Sequence, residues 1–358
     1  MKPIRKNFGS DNVGPVSPAI MAAMVEANTG AVPSYGGDQW TAQLAALTRD
    51  VFETEVEVFS VATGTAANAL ALSALVPPYG AVYCDSSAHV DTDECGAPEF
   101  FTGGAKLLGL PSYDGRLSPA ALRAHLEASR AIGVHKSKPT AITITQATEW
   151  GTVYALDEVQ AIGETAQSLG LSLHMDGARF ANAMATLGCS PAEITWKAGV
   201  DVLSLGATKN GAMAAEAVVF FRRDLAVEFA RRRKRAGHLW SKARFLSAQL
   251  IAYLSDDLWL RNARQANAMA LRLAQGLVRI RGARLLHEVQ SNEVFVVLPE
   301  PVIGRLEAAG FLFYRWYLPA GQTLEAGTAS VRLVTGLDTE AADVDALLDA
   351  AVLEPAVV

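Results

Sequence analysis

Cysteine is scarce in this chain of 358 residues, and no apolar run reaches the length of a membrane span. The three cysteines, Cys84, Cys95 and Cys189, are odd in number and lack the spacing of metal ligands. Residues 1–10 are polar and basic, without the apolar core of a signal peptide. We therefore expect a protein of the reducing cytoplasm, with no metal site, no disulfide framework and no membrane partner.

Positive charge is also in short supply. The chain has 31 lysines and arginines against 37 aspartates and glutamates, a net charge of -6, which gives no basis for binding nucleic acid. Its one basic run, residues 231–235, fits the solvated face of a helix. Hydrophobic residues make up 50% of the chain, which is enough for a large domain and a smaller one.

Short apolar runs alternate with helical segments over the first 221 residues. The predicted strands are 56–61, 81–84, 106–110, 140–145, 171–175, 200–205 and 217–221. The predicted helices are 18–28 (capped by Ser17), 41–52, 66–75, 119–128 and 156–169. This alternation predicts an α/β fold with a mainly parallel, doubly wound sheet.

The pattern changes after about residue 224. Two long helices are predicted there, 224–254 and 258–279, followed by strands 293–298, 311–316 and 330–334 and helices 302–309 and 342–351. This composition predicts a small α+β domain. We place the boundary near residue 250, so that residues 1–250 form an N-terminal arm and a large α/β domain, and residues 251–358 form the small one. We expect the arm, residues 1–17, to fold back onto the small domain.

An acid and a lysine each follow a predicted buried strand. Asp176 follows strand 171–175, and Lys209 lies in a turn of small residues after strand 200–205. Ligand sites of open α/β sheets form at these strand ends. A partly desolvated lysine can form a Schiff base, and a carboxylate can bind the ring nitrogen of pyridoxal phosphate (PLP). From the residues alone, Lys209 also fits a surface lysine and Asp176 a helix N-cap.

Two further features lie after other strands. Gly64 and Thr65 open a helix of small residues, where backbone N–H groups and the helix dipole favour phosphate. Neither a P-loop lysine nor a G-x-G-x-x-G accompanies them, which counts against a nucleotide. His89 is suited to stack on a cofactor ring or to move protons, and equally fits an ordinary loop histidine. Asp93, one turn later, can orient a substrate hydroxyl or face solvent.

His89, the segment HMDGARFANA (residues 174–183) and the segment GATKNG (residues 206–211) together resemble the low-specificity L-threonine aldolases. The stretches GSDNVGPVSP, SYGGDQWTAQL, ATGTAANAL and SVRLVTG extend this resemblance over nearly the whole chain. It implies the type I, aspartate-aminotransferase-like fold of PLP-dependent enzymes, with a seven-stranded sheet. It also implies a carbon–carbon lyase that cleaves L-threonine, L-allo-threonine and related β-hydroxy-α-amino acids to glycine and an aldehyde. A homodimer or homotetramer with active sites at the subunit interface is expected.

The resemblance implies roles for the residues at the strand ends. Lys209 would carry PLP as a Schiff base, and Asp176 would pair with the pyridine nitrogen. Arg179 would contact the ring's phenolic oxygen and the bound substrate. The Gly64–Thr65 pair would hold the phosphate, and His89 would stack on the ring.

The resemblance also implies residues elsewhere along the chain. Ser10 and Arg332 would bind the substrate carboxylate, a role that suits the fork of a guanidinium. Arg235 and Arg244 would reach the phosphate of a neighbouring subunit. Apart from the resemblance, we expect the aromatic residues Trp150 and Tyr35 near the mouth of the substrate site, where they would favour an aryl aldehyde.

The base for the β-hydroxyl is left open by the sequence. Many relatives carry Glu-Asn-Thr-His-Asn after the central strand, whereas residues 145–151 here read TQATEWG, so a histidine near the substrate is missing. Our candidate is His89, assisted by Asp93 or by His135. Two alternatives remain: a phenylserine aldolase that prefers aryl aldehydes, and a non-catalytic PLP-binding scaffold of the same fold.

Overall fold

The structure is a computed structural model, which describes residues 6–319 and 321–352. Its helices are α1 Pro18–Ala27, α2 Gln39–Phe52, α3 Gly64–Leu75, α4 His89–Thr92, α5 Ala97–Thr102, α6 Pro119–Ala131, α7 Leu156–Ser168, α8 Phe180–Leu187, α9 Pro191–Ile194, α10 Phe229–Arg235, α11 Arg244–Leu254, α12 Leu258–Leu277, α13 Glu300–Ala308 and α14 Ala341–Val352. Its strands are β1 Lys6–Asn7, β2 Glu57–Val61, β3 Gly80–Asp85, β4 Lys106–Leu110, β5 Lys138–Thr145, β6 Ser172–Gly177, β7 Val202–Gly206, β8 Glu216–Phe220, β9 Arg284–Leu285, β10 Glu293–Pro299, β11 Phe311–Leu312, β12 Tyr314–Arg315 and β13 Thr328–Val334. Within the described ranges, no helix is both long enough and apolar enough to span a bilayer.

Seven strands form the large sheet in the order β2-β8-β7-β6-β5-β3-β4. Strands β7, β6, β5, β3 and β4 pair in parallel, and β8 runs antiparallel to β2 and β7. Both faces are covered, because Ala81 and Tyr83 of β3 enter one apolar core while Val82 and Cys84 enter another. The predicted mainly parallel sheet of seven strands is confirmed.

The chain order reverses between β3 and β5, since β4 lies on one side of this pair and β6 and β7 lie on the other. In an open α/β sheet, such a switch point leaves a crevice outside the carboxyl ends of the strands. The fold therefore predicts a ligand site at this edge.

The second sheet is antiparallel, in the order β12-β13-β10-β9, and shares an apolar core with α12, α13 and α14. The N-terminal arm reaches this unit, because β1 pairs in parallel with β11 and the Val334 amide donates to the Phe8 carbonyl at 2.7 Å. A boundary near residue 250 stays a prediction. Residues 1–5, 320 and 353–358 of the two predicted ranges lie outside the described residues.

Three local predictions are wrong in detail. The helix predicted over 224–254 is interrupted between α10 and α11, where Gly237 adopts the left-handed conformation (φ +79°) that glycine tolerates at a helix end. The strand predicted over 311–316 is two short strands, because β11 pairs with β1 and β12 pairs with β13. Ser17 precedes α1, but its side chain makes no capping hydrogen bond.

Close packing of α7 on the segment that enters β7 gives a stability test. A Cβ built on Gly163, in the middle of α7, would overlap the carbonyl oxygen of Ala198. We expect Gly163→Ala to lower the free energy of unfolding by about 1–3 kcal/mol, because the backbone has to move. Gly304 in α13 is the matched control, since a Cβ there meets nothing within 4 Å. Gly304→Ala should raise stability by roughly 0.5–1 kcal/mol, and urea unfolding curves that shift equally for both variants would contradict this packing.

Candidate active site

Asp176 is the last residue but one of β6, at the carboxyl edge of the large sheet, and it pairs with Thr145 of β5. Its buried carboxylate accepts a hydrogen bond at Oδ1 from the Ala178 amide (2.9 Å) and at Oδ2 from Asn68 Nδ2 (2.7 Å). The N-cap of α8 lies three residues later, so Asp176 does not serve as that cap. Two donors instead hold the carboxylate in one orientation.

Lys209 lies in a single 3-10 turn, Thr208–Asn210, that follows β7. The turn is anchored by Asn210, whose Nδ2 donates to Tyr253 Oη (3.1 Å) and to the Trp259 carbonyl (2.8 Å). The side chain of Lys209 is half-buried, and its Nζ has no hydrogen bond or ion pair with another described residue. Because it lines cavities at the end of β7, it is not an ordinary surface lysine.

A cavity of about 410 Å³, here called the inner cavity, joins Asp176 and Lys209 to the start of α3. Thr63 is the N-cap of this helix and accepts a hydrogen bond from the Ala66 amide. The N–H groups at the Gly64–Thr65 pair have no acceptor within the helix and lie at the positive end of its dipole. The inner cavity thus brings together an amine, a carboxylate and a site suited to an anion.

His89 begins α4 and lies between carboxylates. Its Nδ1 is 3.0 Å from Glu94 Oε1, and its Nε2 is 3.5 Å from Asp93 Oδ2. The hydrogen bond to Glu94 is the main reason why the pKa of His89 is raised, which favours the imidazolium. Asn68 Nδ2 also donates to Glu94 (2.8 Å), so one amide connects the carboxylates of Glu94 and Asp176.

A second cavity of about 690 Å³, the outer cavity, opens on the other side of Lys209. Residues from both sheets and from the arm line it, among them Ser10, Glu149, Lys209, Trp316, Tyr317 and Arg332. The Arg332 guanidinium lies 4.1 Å from the Trp316 ring centroid, and Nη2 donates to the Gly9 carbonyl (2.9 Å). Ser10 Oγ accepts a hydrogen bond from the Asn12 amide.

Arg179 is engaged within the protein. Its Nε and Nη2 donate to the two oxygens of Asp11 (2.8 and 3.0 Å), and Nη1 lies 3.3 Å from Glu293. Burial opposes ionisation of Asp11, but the charges of Arg179 and Lys209 overcome this effect and lower the pKa of Asp11. Arg179 lines the outer cavity, but two of its guanidinium nitrogens already donate to Asp11 of the arm.

Four predicted residues are not brought to these cavities. His135 is exposed in a 3-10 turn before β5, at the opposite edge of the sheet from Asp176, so this fold gives it no route to the site. Tyr35 is 50% exposed. Arg235 is exposed at the end of α10, and Arg244 donates to the Thr29 carbonyl (3.0 Å).

Sequence reasoning missed Glu149 and the bridging role of Asn68. Glu149 lies four residues after the carboxyl end of β5, and Asp176 lies at the carboxyl end of β6. A polar residue at a strand end is the signal that would have found Glu149. Its Oε1 accepts from the His89 amide and from Thr145 Oγ1, both at 2.8 Å. Burial is the main reason why the pKa of Glu149 is raised to about 7. Asn68 gave no signal, because only its position on α3 brings it to Asp176.

Comparison with known proteins supplies the family. The family model described as beta-eliminating lyase matches residues 7–301. A low specificity L-threonine aldolase of Pseudomonas aeruginosa is 52% identical over 309 residues, which cover 86% of this chain and 89% of that protein. The chain belongs to the beta-eliminating lyase family, and within it to the low-specificity L-threonine aldolases.

Two further relatives extend the match over nearly the whole length of this aldolase chain. A low specificity L-threonine aldolase of a Pseudomonas species is 47% identical over 352 residues, covering 96% of this chain and 99% of that protein. The solved structure of a Leishmania major threonine aldolase superposes with a TM-score of 0.89 at 29% identity, covering 96% of this chain and 98% of that one. The predicted type I fold of PLP-dependent enzymes and the predicted lyase class are confirmed.

The buried pair of Asp11 and Arg179 ties the N-terminal arm to the site. We expect Asp11→Ala to lower the free energy of unfolding by about 3 kcal/mol, because it leaves a buried guanidinium poorly compensated. Since the pKa of Asp11 is lowered from 3.8, this contribution is complete above that pH and disappears as pH falls through the folded-state pKa.

Urea unfolding at neutral and acidic pH measures this effect. The control is Asp224→Ala, which removes an exposed pair with Arg222 (2.8 Å) and should change stability by at most about 1 kcal/mol. Equal losses in the two variants would mean that burial adds nothing to the Asp11–Arg179 pair.

Proposed function

We propose that this chain uses pyridoxal 5'-phosphate to cleave L-threonine, L-allo-threonine and related β-hydroxy-α-amino acids reversibly to glycine and an aldehyde. One observation carries the proposal: Lys209, with no partner among the described residues, and the oriented carboxylate of Asp176 line one cavity with a helix N-terminus. The printed names of the two Pseudomonas relatives support threonine as the substrate.

The residues of the inner cavity fit this cofactor. Lys209 offers an amine for the aldehyde group, Asp176 a carboxylate for the pyridine nitrogen, and the Gly64–Thr65 pair free N–H groups for the phosphate. A Cβ built on Gly64 meets nothing within 4 Å, so the helix end is open to a ligand. Bound there, PLP supplies an electron sink for the pair left on Cα when the Cα–Cβ bond breaks.

The protein's own groups set the conditions for this chemistry. Asp176 would keep a proton on the ring nitrogen, and the bonds from Asn68 and the Ala178 amide keep its oxygens in place. His89, which lines the inner and outer cavities, would contact the ring. Glu94 fixes the imidazole through Nδ1.

The outer cavity supplies the substrate site. Arg332 and Ser10 bind the substrate carboxylate there, which fixes the angle at which the Cα–Cβ bond meets the ring. Burial lowers the pKa of Arg332, but a guanidinium stays charged in proteins. Arg179 positions the arm through Asp11 and lines the same cavity.

The aromatic wall of the outer cavity favours a second candidate function. Trp150, Trp316 and Tyr317 line it, and the Trp150 and Tyr317 ring centroids are 5.1 Å apart. Such a wall suits an aryl aldehyde, so cleavage of phenylserine is the alternative. A panel of threonine, allo-threonine and phenylserine isomers, with each aldehyde measured, distinguishes the two.

We further propose a homodimer or homotetramer in which Arg235 and Arg244 reach a neighbouring subunit's phosphate. Support comes from their position beside the exposed Tyr35, whose amide donates to the Ser241 carbonyl (3.0 Å) and whose ring lies 4.5 Å from Lys234 Nζ. A cytoplasmic location is proposed as well. The three free cysteines support it.

Lys209 gives the decisive test of this function. The wild-type protein should be yellow, and borohydride should fix PLP to Lys209, as peptide mass spectrometry would show. Lys209→Ala should lose both this attachment and the release of glycine and aldehyde, because no other amine lines the inner cavity among the described residues. Lys197→Ala, at an exposed lysine paired with Glu53, is the control and should behave as wild type. Turnover retained by Lys209→Ala would refute the assignment.

Arg332 tests the substrate site independently. We expect Arg332→Ala to raise KM for L-threonine about 10–100-fold, because a charge-assisted hydrogen bond to the carboxylate is lost. The matched control is Arg315→Ala on the neighbouring strand, where the guanidinium pairs with Glu300 at the surface. An unchanged KM in Arg332→Ala, measured by steady-state kinetics, would remove Arg332 from the carboxylate site.

A further inference from the structure

Glu149 is a half-buried acid to which the proposed chemistry assigns no role. It lies four residues after β5, lines the outer cavity, and also lines a smaller cavity that contains Lys209 and Asp176. Its Oε1 accepts two hydrogen bonds, from the His89 amide and from Thr145 Oγ1. Its Oε2 is shielded from bulk solvent and has no hydrogen-bond partner. One oxygen is therefore held by two donors, and the other has no hydrogen-bond partner.

Such an arrangement costs stability. A buried carboxyl oxygen without a partner loses its solvation, and the negative charge of Asp176 adds to the cost of ionising Glu149. These effects raise the pKa of Glu149 to about 7, near the range in which a group exchanges protons efficiently with a substrate. An acid with this environment in a cleft is typical of a functional site.

The other candidate bases are less well placed. Both imidazole nitrogens of His89 face carboxylates, and its raised pKa favours the form that has no free lone pair. The side chain of Asp93 is 81% exposed. His135 lies at the opposite edge of the sheet. Of these acids and bases, Glu149 alone combines an anchored side chain, a shielded oxygen without a partner and a place in the lining of the outer cavity.

We infer that Glu149 Oε2 is the catalytic base that removes the proton from the substrate β-hydroxyl. This inference rests on the proposed function and names the residue that begins its bond-breaking step. As the O–H proton moves to Oε2, the C–O bond becomes the aldehyde C=O, and the Cα–Cβ pair stays on Cα. Lys209 gives one proton to Cα and regains one from solvent, and Glu149 releases its own to solvent. One proton is taken and one is given, so no oxidant or further reactant is needed.

The experiment compares two reactions of the PLP-loaded enzyme. Threonine cleavage requires removal of the β-hydroxyl proton, whereas exchange of the glycine α-hydrogen in D₂O does not. We expect Glu149→Gln to lower kcat for cleavage by about 10²–10⁴-fold. Glycine exchange, followed by NMR, and KM for threonine should stay within about threefold of wild type. Glu164→Gln is the matched control, because this exposed glutamate of α7 is remote from the site, and neither reaction should change.

Each outcome decides the inference. Cleavage within a few-fold of wild type in Glu149→Gln would overturn it, and so would equal losses of cleavage and exchange, which indicate a structural role. If Glu149→Gln does not fold, the ratio of cleavage to exchange in Glu149→Asp decides by the same rule, and an unchanged ratio refutes the inference. A wild-type enzyme that releases no glycine and aldehyde would instead overturn the proposed function. Wild-type cleavage with full activity in the variant would overturn only the role of Glu149.

Discussion

Backbone hydrogen bonds that hold β5, β6 and β7 in parallel register put the ends of three strands in one row. Thr145 pairs with Asp176, and Asp176 pairs with Ser204. The carboxyl ends of these three strands position three groups of the site: Glu149 lies after β5, Asp176 at the end of β6, and Lys209 after β7. A one-residue change in strand register turns every side chain of the strand to the other face of the sheet. The sheet therefore holds these strand ends rigidly in one row.

Charge balance is the second constraint, and it divides the site into two halves. Around the arm, two acids (Asp11 and Glu293) face two guanidinium groups. Around the strand ends, Asp176, Glu94 and Glu149 share one lysine and one histidine. Burial is the main reason why the pKa values of Glu94 and Glu149 are raised, and the same holds for Glu293 beside the arm. The pKa of Glu149 is raised to about 7, so this acid can exchange a proton near neutral pH.

The features of the fold and the site that could be predicted are those that depend on residues close together in the sequence. Asp176 and Lys209 were predictable, because a polar residue directly after an apolar strand needs only local pattern to be recognised. Glu149 carries a similar signal. Compared with the family, residues 145–151 lack a histidine, but the same segment contains this acid. The prediction for His135 did not take strand direction into account. His135 lies in the loop before β5, and in a parallel sheet this loop is at the opposite edge from the loops that follow the strands. The break between α10 and α11 had a sequence signal in Gly237, which the prediction of one continuous helix did not use.

The two arginines that line the outer cavity show why residue type and location alone do not assign a role. Arg179 has both faces of its fork committed, since Asp11 takes two of its nitrogens and Glu293 lies near the third. Arg332 donates one bond to a backbone carbonyl, stands 4.0 Å from Glu293, and keeps its Nε without a partner among the described residues. A substrate carboxylate can therefore gain charge-assisted hydrogen bonds from Arg332 without breaking an existing pair. The same recruitment of Arg179 would release the N-terminal arm, and with it Ser10. Two chemically identical side chains therefore have different roles, because they differ in the acids they already pair with: Arg179 positions the arm, and Arg332 is available to bind the substrate carboxylate.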